Sequence, residues 1–277
     1  MDKGANAMYR LIALDIDGTL LNGEHQVPRE NYEAIQEARA AGVKVVLATG
    51  RSWPEAVEVA RDAGCDDLVV CEGGAAVADF ALGAILESWK IPDQTGLEIL
   101  EALSRWEVGL MLFAGEELVI NSRCEEAFRN YPSATFRSKR VVCDDLTGFL
   151  KEHGLPLNKI FLLGRPDQFP ALRALLGRWE DVYITSSGPD NLEILARGVD
   201  KGTGIAALAR RLGIPMEKVM GIGDSDNDRG MLAAVGMPVV MGNAAPEIQA
   251  LGRYITDTNE NAGVAKAIRH FLRREEA

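Results

Sequence analysis

The chain has 277 residues, 47% of them hydrophobic and 26% charged, which is enough to bury a sizeable core in two domains. Its net charge of −11 argues against a nucleic-acid or anionic-membrane partner, and no apolar run approaches the ~18 residues of a membrane span. Cys65, Cys71, Cys124 and Cys143 are scattered without a C-x-x-C pair and read as reduced thiols of a cytoplasmic protein, and His25, His153 and His270 lack zinc-ligand spacing. Met1 to Ala7, polar and small, reads as a leader outside the fold.

The first predicted element is a buried strand at Leu11 to Leu14 that runs into Asp15-Ile16-Asp17-Gly18-Thr19. Carboxylates two residues apart on an extended backbone point the same way, so Asp15 and Asp17 can face one site, and Gly18 allows a sharp turn there. Two like charges ending an apolar strand are costly without a cation or shared proton; the plainer reading is a polar turn. A helix follows from Pro28 to about Ala41, closed by Gly42. The second strand, Val43 to Ala48, ends in Thr49-Gly50-Arg51. Ser52-Trp53-Pro54-Glu55 is a capping-box start for a helix ended by Gly64. Leu68 to Cys71 is a third strand, followed by Glu72-Gly73-Gly74, and this rhythm means a parallel sheet.

From about Ala75 the pattern changes. Short β runs at Ala75–Ala78 and Ala84–Trp89 flank a Gly83 turn, and a linker follows at Ile91-Pro92. An α+β insert then reads as helix Gly96–Trp106, strands Gly109–Phe113 and Leu118–Asn121, helix Glu125–Tyr131, strand Arg140–Cys143 and helix Leu146–His153. Strand Lys159–Leu163, helix Phe169–Arg178 and strands Val182–Thr185 and Asn191–Leu195 complete it. The first rhythm resumes with a helix from Lys201 to about Leu212. A strand Val219–Ile222 ends in Gly223-Asp224-Ser225-Asp226-Asn227-Asp228, and a helix through Met231 and Leu232, strand Pro238–Met241 and a helix Gly263–Arg273 close the chain. The domains predicted are a core over residues 8–88 and 196–277 with an inserted α+β cap over 89–195.

In an open parallel sheet ligands bind beyond the carboxyl ends of the strands. Asp15/Asp17, Thr49/Arg51, Lys201 and Asp224/Asn227/Asp228 would all meet at that edge, as acids for a divalent cation beside Lys, Thr and Asn for an anion. Mg²⁺ takes carboxylate and carbonyl oxygens, and a lysine adds charge where negative charge spreads over transferring phosphoryl oxygens. The plain alternatives are a solvated first-turn Lys201, a capping or solvated Asp226, an exposed loop His25, and Glu193 either on the cap side of the pocket or on an exposed strand face. Trp89 suits a hinge, and Trp106 and Trp179 the core of the cap.

These four segments, with LEILARGVDKGTGIAALARRLGI, GIGDSDNDRGML and VVMGNAAPEI, resemble the haloacid dehalogenase superfamily of aspartate-nucleophile phosphohydrolases. The insert between Thr49-Gly50-Arg51 and Lys201 resembles the Cof-type group with a type-IIB cap. The resemblance implies a doubly wound, Rossmann-like α/β core with an inserted cap, and Mg²⁺ as cofactor. It implies Asp15 as nucleophile and metal ligand, and Asp17 as general acid/base with its carbonyl on the metal. Thr49 and Lys201 would bind the phosphoryl group, Asp224 the metal and Asp228 a metal-bound water. Asn227 would contact the phosphate or Lys201, and Arg51 would reach the substrate. The function expected is hydrolysis of a small phosphorylated metabolite through an aspartyl-phosphate, sugar phosphates first, then flavin mononucleotide or pyridoxal phosphate. The rivals are a phosphomannomutase-like mutase and a non-catalytic sensor. Two stretches depart from the family pattern: Gly73-Gly74-Ala75 stands where Asn-Gly-Ala is usual, and Asn261-Ala262-Gly263-Val264 where Glu-Asp-Gly-Val is usual.

Overall fold

The computed structural model describes residues 8–273; the leader read at Met1–Ala7 lies outside them. Strands β1 (Leu11–Leu14), β2 (Lys44–Ala48), β3 (Leu68–Cys71), β4 (Ala76–Asp79) and β5 (Ala84–Ser88) come first. The insert carries β6 (Gly109–Ala114), β7 (Glu117–Ile120), β8 (Arg140–Val142), β9 (Leu157–Leu163), β10 (Val182–Thr185) and β11 (Asn191–Ala196). The chain closes with β12 (Val219–Gly223), β13 (Met237–Val240) and β14 (Tyr254–Ile255).

Two sheets result. One has the order β14-β13-β12-β1-β2-β3-β4-β5, parallel from β14 to β3, with the β4–β5 hairpin added antiparallel at its edge. The other has the order β10-β11-β9-β6-β7-β8 and is antiparallel except where β7 meets β8. The first is covered on both faces, which is why β1 is apolar throughout. Ile12 and Leu14 pack with the helices Arg29–Ala40, Trp53–Ala63 and Gly263–Arg273, whereas Leu11 and Ala13 pack with the helix Lys201–Leu212. Half of the Ser52–Glu55 box forms: Ser52 N donates to Glu55 Oε2, but Ser52 Oγ also donates to that carboxylate and caps no backbone N–H; Gly64 ends the helix at φ 64°.

One face of the second sheet packs on the helices Asp93–Leu103, Leu146–His153 and Phe169–Leu176. Leu110, Leu112, Ile160, Leu162, Leu192 and Ile194 point to a core that Trp106 and Trp179 join from its edge. Its other face carries the short helices Ser122–Ala127 and Ala134–Lys139 and lies over the carboxyl ends of the first sheet's strands. Two helices shift and two elements were not read: the helix expected at Gly96–Trp106 runs Asp93–Leu103. The helix expected at Glu125–Tyr131 runs Ser122–Ala127, because Asn121 caps it by accepting from Cys124 N. A helix at Ala134–Lys139 and the short strand β14 had no periodic signal long enough to read. Trp89 packs half-buried where the chain leaves the first sheet. The four cysteines are free thiols, and among the described residues no helix is long and apolar enough to cross a membrane.

Candidate active site

The carboxyl edge of the parallel sheet gathers the predicted clusters. Asp15 ends β1, is 4% exposed, and accepts from Lys201 Nζ at 2.5 Å; the same ammonium donates to Asp228 Oδ1 at 2.7 Å. Lys201 opens its helix, where a cation is unfavourable against the helix dipole, and it is fully buried. Burial works against its charge, but Asp15 and Asp228 outweigh it and raise its pKa, so it stays an ammonium. Asp228 Oδ2 accepts from the backbone N–H groups of Asp224 and Ser225, which folds the loop after β12 around it. Asp224 accepts from Thr19 Oγ1 at 2.7 Å. Gly18, at φ +80°, passes so close that a Cβ there would lie 2.5 Å from Asp224 Oδ2.

Asp15, Asp224 and Asp228 offer carboxylate oxygens within 4.8 Å of one another, against one ammonium. The charge imbalance shows in their proton affinities. Burial, with Asp228 and Asp224 adding to it, pushes Asp15 well above the ordinary carboxylate range despite Lys201. Burial and Asp228 push Asp224 up to about 7. A buried set of hard oxygen donors short of positive charge fits a divalent cation of the Mg²⁺ type.

Asp15, Asp17, Thr49, Arg51, Asn227 and Glu193 all line one cavity of about 260 Å³ between the two sheets. Asp17 is exposed on its rim and held by Arg51 through both carboxylate oxygens, at 2.6 and 2.9 Å. Thr49 is buried, its Oγ1 accepting from Arg51 N. Asn227 donates to Glu193 Oε1 at 3.4 Å and accepts from Ser225 Oγ, so of the two contacts expected for it the one to Lys201 is not made. Glu193 is on the cavity side and buried, not on an exposed strand face. Asp226 stands apart from the carboxylate cluster, taking Arg229 and, across from the second sheet, Thr185 Oγ1; His25 is an exposed loop residue.

Sequence reasoning missed three parts of the site. Lys159 on β9 pairs with Glu193 at 2.6 Å and donates to the Gly50 carbonyl at 2.8 Å. Glu72, just ahead of the Gly73-Gly74-Ala75 departure, is buried at φ 56° and accepts from Asn158 Nδ2 of the insert at 2.9 Å. Aromatic residues of the insert form the far wall of the cavity. A lysine and an asparagine at the head of a predicted strand were the available signal for the first two.

A carboxylate–lysine cluster at the switch edge of a doubly wound sheet, roofed by an inserted sheet, marks an α/β phosphoryl-transfer enzyme with a cap. The chain belongs to the haloacid dehalogenase-like hydrolase family, whose pattern matches residues 12–268. It is similar to the phosphatase YwpJ of Bacillus subtilis, 31% identical over 286 residues, covering 95% of this chain and 100% of that one. It is also similar to the 5-amino-6-(5-phospho-D-ribitylamino)uracil phosphatase YcsE of the same organism, 30% identical, covering 95% and 96%. The fold matches the subclass IIB sugar phosphatase BT4131 with a TM-score of 0.80 at 22% identity, covering 95% of this chain and 99% of that one. The resemblance to Cof-type hydrolases with a type-IIB cap therefore holds, and the enzyme class is phosphoric monoester hydrolase.

Proposed function

We propose that the chain hydrolyses a phosphomonoester of a small metabolite through an aspartyl-phosphate on Asp15, with Mg²⁺ as cofactor. The observation that carries this reading is the buried Lys201 ammonium, 2.5 Å behind Asp15, which itself lines the cavity. A phosphate dianion repels an attacking carboxylate, so the nucleophile needs fixed positive charge beside it. Lys201 supplies one such charge and cannot swing away, since Asp228 grips it from the other side. Mg²⁺ bound by the Asp15 and Asp224 carboxylates, near Asp228, would supply Lewis-acid charge at the transferring oxygens.

Asp15 then bonds to phosphorus as the ester oxygen leaves, and Asp17 gives that oxygen its proton. In the second half Asp17 takes a proton from water, the water oxygen bonds to phosphorus, and inorganic phosphate leaves with Asp15 restored. Arg51 aims Asp17 from both of its oxygens; for Arg51 to reach substrate, or Asp17 to turn toward the leaving oxygen, that pair has to part. Thr49 and Asn227, at the cavity wall, take the phosphoryl oxygens. Asp228 acts as the brace of Lys201 and of the 224–225 backbone. The segment 89–195 serves as the lid, closed in this structure by contacts such as Lys159 with Gly50 and Ser133 with Glu58.

The test is phosphate release from a metabolite panel with Mg²⁺ and with chelator, for wild type and Asp15→Asn. Mg²⁺-dependent release that the substitution abolishes is the expected result. Release that survives Asp15→Asn would remove the covalent mechanism, and isomerised sugar phosphate in place of free phosphate would make the chain a mutase.

A further inference from the structure

The strand order β12-β1-β2 puts Asp15, at the end of β1, between two loops: Thr49-Gly50-Arg51 after β2 and Asp224 to Asp228 after β12. One ion pair of the insert reaches both. Lys159 on β9 and Glu193 on β11 are paired at 2.6 Å with both side chains buried. Lys159 Nζ donates to the Gly50 carbonyl at 2.8 Å, and Glu193 Oε1 accepts from Asn227 Nδ2 at 3.4 Å. A Cβ on Gly50 would stand 3.1 Å from Lys159 Nζ and 3.4 Å from both Glu193 oxygens, so the pair lies directly on that loop. Thr185, opposite Glu193 in the β10–β11 register, donates to Asp226, so two neighbouring strands of the insert hold consecutive residues of the second loop. Asp15, Gly50, Lys159, Glu193 and Asn227 all line the one cavity.

An ion pair that only held the insert together could be exchanged for apolar residues at little cost. This one directs its remaining hydrogen bonds at the core. The amide of Asn227 is fixed from both ends: Ser225 Oγ donates to its Oδ1 at 2.9 Å, and Glu193 takes one hydrogen of its Nδ2. That nitrogen has a second hydrogen, and it is the end of the amide that attracts an anion. Turned over, the amide would set its oxygen against the Glu193 carboxylate and offer a phosphoryl oxygen no donor. Burial raises the Glu193 pKa, but Lys159, with Ser187 and Lys201, brings it below the ordinary value, so Glu193 is ionised and can only accept. Lys159 in turn cancels the negative charge that a lone carboxylate would place beside a phosphate.

We propose that Glu193, carried by the insert and anchored through Lys159 to the Gly50 loop, is a positioning residue for phosphoryl transfer: it holds the Asn227 amide nitrogen toward the phosphoryl group, so that this anion site is complete only with the insert closed. This rests on the reading of the same site as a phosphomonoesterase. The insert then contributes to the chemistry as well as covering it.

The experiment reads p-nitrophenyl phosphate turnover and calorimetric binding of inorganic phosphate, both with Mg²⁺. Two double variants remove the buried charges together, leaving neither unpaired: Lys159→Met with Glu193→Gln keeps an acceptor for Asn227, and Lys159→Met with Glu193→Leu does not. Circular dichroism and melting check that each is folded. Relative to the first double variant, the second should bind phosphate about tenfold more weakly and lose at least about tenfold in kcat/KM. Adding Asn227→Ala should cost about tenfold in the first background and under about threefold in the second, because nothing is left to position. Glu193→Asp, which keeps the charge opposite Lys159 and draws the acceptor back by one methylene, is a further variant that should also weaken phosphate binding. Equal behaviour of the two double variants, or an Asn227→Ala loss of the same size in both, overturns the proposal and leaves the hydrolytic reading intact. Absent turnover with the Glu193–Asn227 coupling still present in phosphate binding removes the hydrolytic reading and keeps the positioning role. A wild type that neither hydrolyses the ester nor binds phosphate overturns both.

Discussion

Replacing Lys159 by methionine removes one half of the ion pair that sits between the aromatic roof and the core. Lys159 Nζ is 2.6 Å from Glu193 Oε2, and the two side chains are 1% and 2% exposed. At an effective dielectric of about 20, unit charges ~4 Å apart attract by about 4 kcal/mol. Breaking a buried pair from one side costs about 3–5 kcal/mol, because the other charge is left behind. Methionine keeps most of the stem, and Ser187, Asn227 and Lys201 still act on Glu193, so the expected loss at pH 7 is about 3 kcal/mol in urea unfolding, most of it the Glu193 carboxylate left without its counter-ion. The pH dependence identifies the cause. In the wild type burial pushes the Glu193 pKa up, but Lys159 more than reverses this and holds it below the ordinary value. A depressed folded pKa gives stability that is present above the unfolded carboxylate range and lost as pH falls through the folded value. Without Lys159 only the Ser187 hydrogen bond and Lys201 still oppose burial, and the folded pKa rises. The variant's penalty should then be largest at neutral pH and shrink toward pH 5, and adding Glu193→Gln should recover at least half of it. A loss under about 1 kcal/mol, or one constant between pH 5 and 7.5, would refute the argument that a desolvated charge is left unpaired.

Three further outcomes follow from the same geometry. Burial raises Glu72 to about 7, so between the unfolded carboxylate range and pH 7 the folded state holds a proton that the unfolded chain has lost, and stability falls as pH rises through that window. Glu72→Gln keeps an acceptor for Asn158 and removes the titration; it should stabilise the protein by about 2–3 kcal/mol at pH 8 and change little at pH 4.5, read by thermal unfolding. Gly18→Ala puts a Cβ 2.5 Å from Asp224 Oδ2 at φ +80°, and is expected to cut phosphate release by at least about a hundredfold and stability by about 1–2 kcal/mol. Saturating Mg²⁺ should raise the melting temperature by roughly 5 °C. Asp224→Asn should abolish that shift while melting higher than wild type without metal, since it relieves the repulsion from Asp228; an unaltered shift in the variant would move the metal elsewhere.

The residues at the carboxyl edge were readable because each sits at a break in a local pattern. Asp15, Thr49 and Asp224 each follow a run of apolar strand residues, and Lys201 opens an amphipathic helix at a position the dipole disfavours. Parallel strands joined by helices send their carboxyl ends to one edge, so topology alone brings these residues together. The roof offers no comparable break. Phe113 and Phe161 are ordinary apolar residues in ordinary strands, and only the pairing of β6 with β9, which sets Met111 opposite Phe161 and Phe113 opposite Lys159, places them on one face. Phe136 rides on a helix too short for its period to show. Lys159 and Glu193 read separately as a strand-end lysine and an acid on either face, because a charge on a strand is ordinarily solvated and the partner that permits its burial lies two strands' worth of sequence away. Alternation in a strand announces two faces but not what will cover each of them. The face whose cover is another part of the chain can be inferred from hydrophobic pattern, since both sides of that contact are in the sequence. The two helices that cover the Met111, Phe113 and Phe161 face, Ser122–Ala127 and Ala134–Lys139, are too short for an apolar period to show, so on that side only the strand half of the contact is legible until the sheet is assembled.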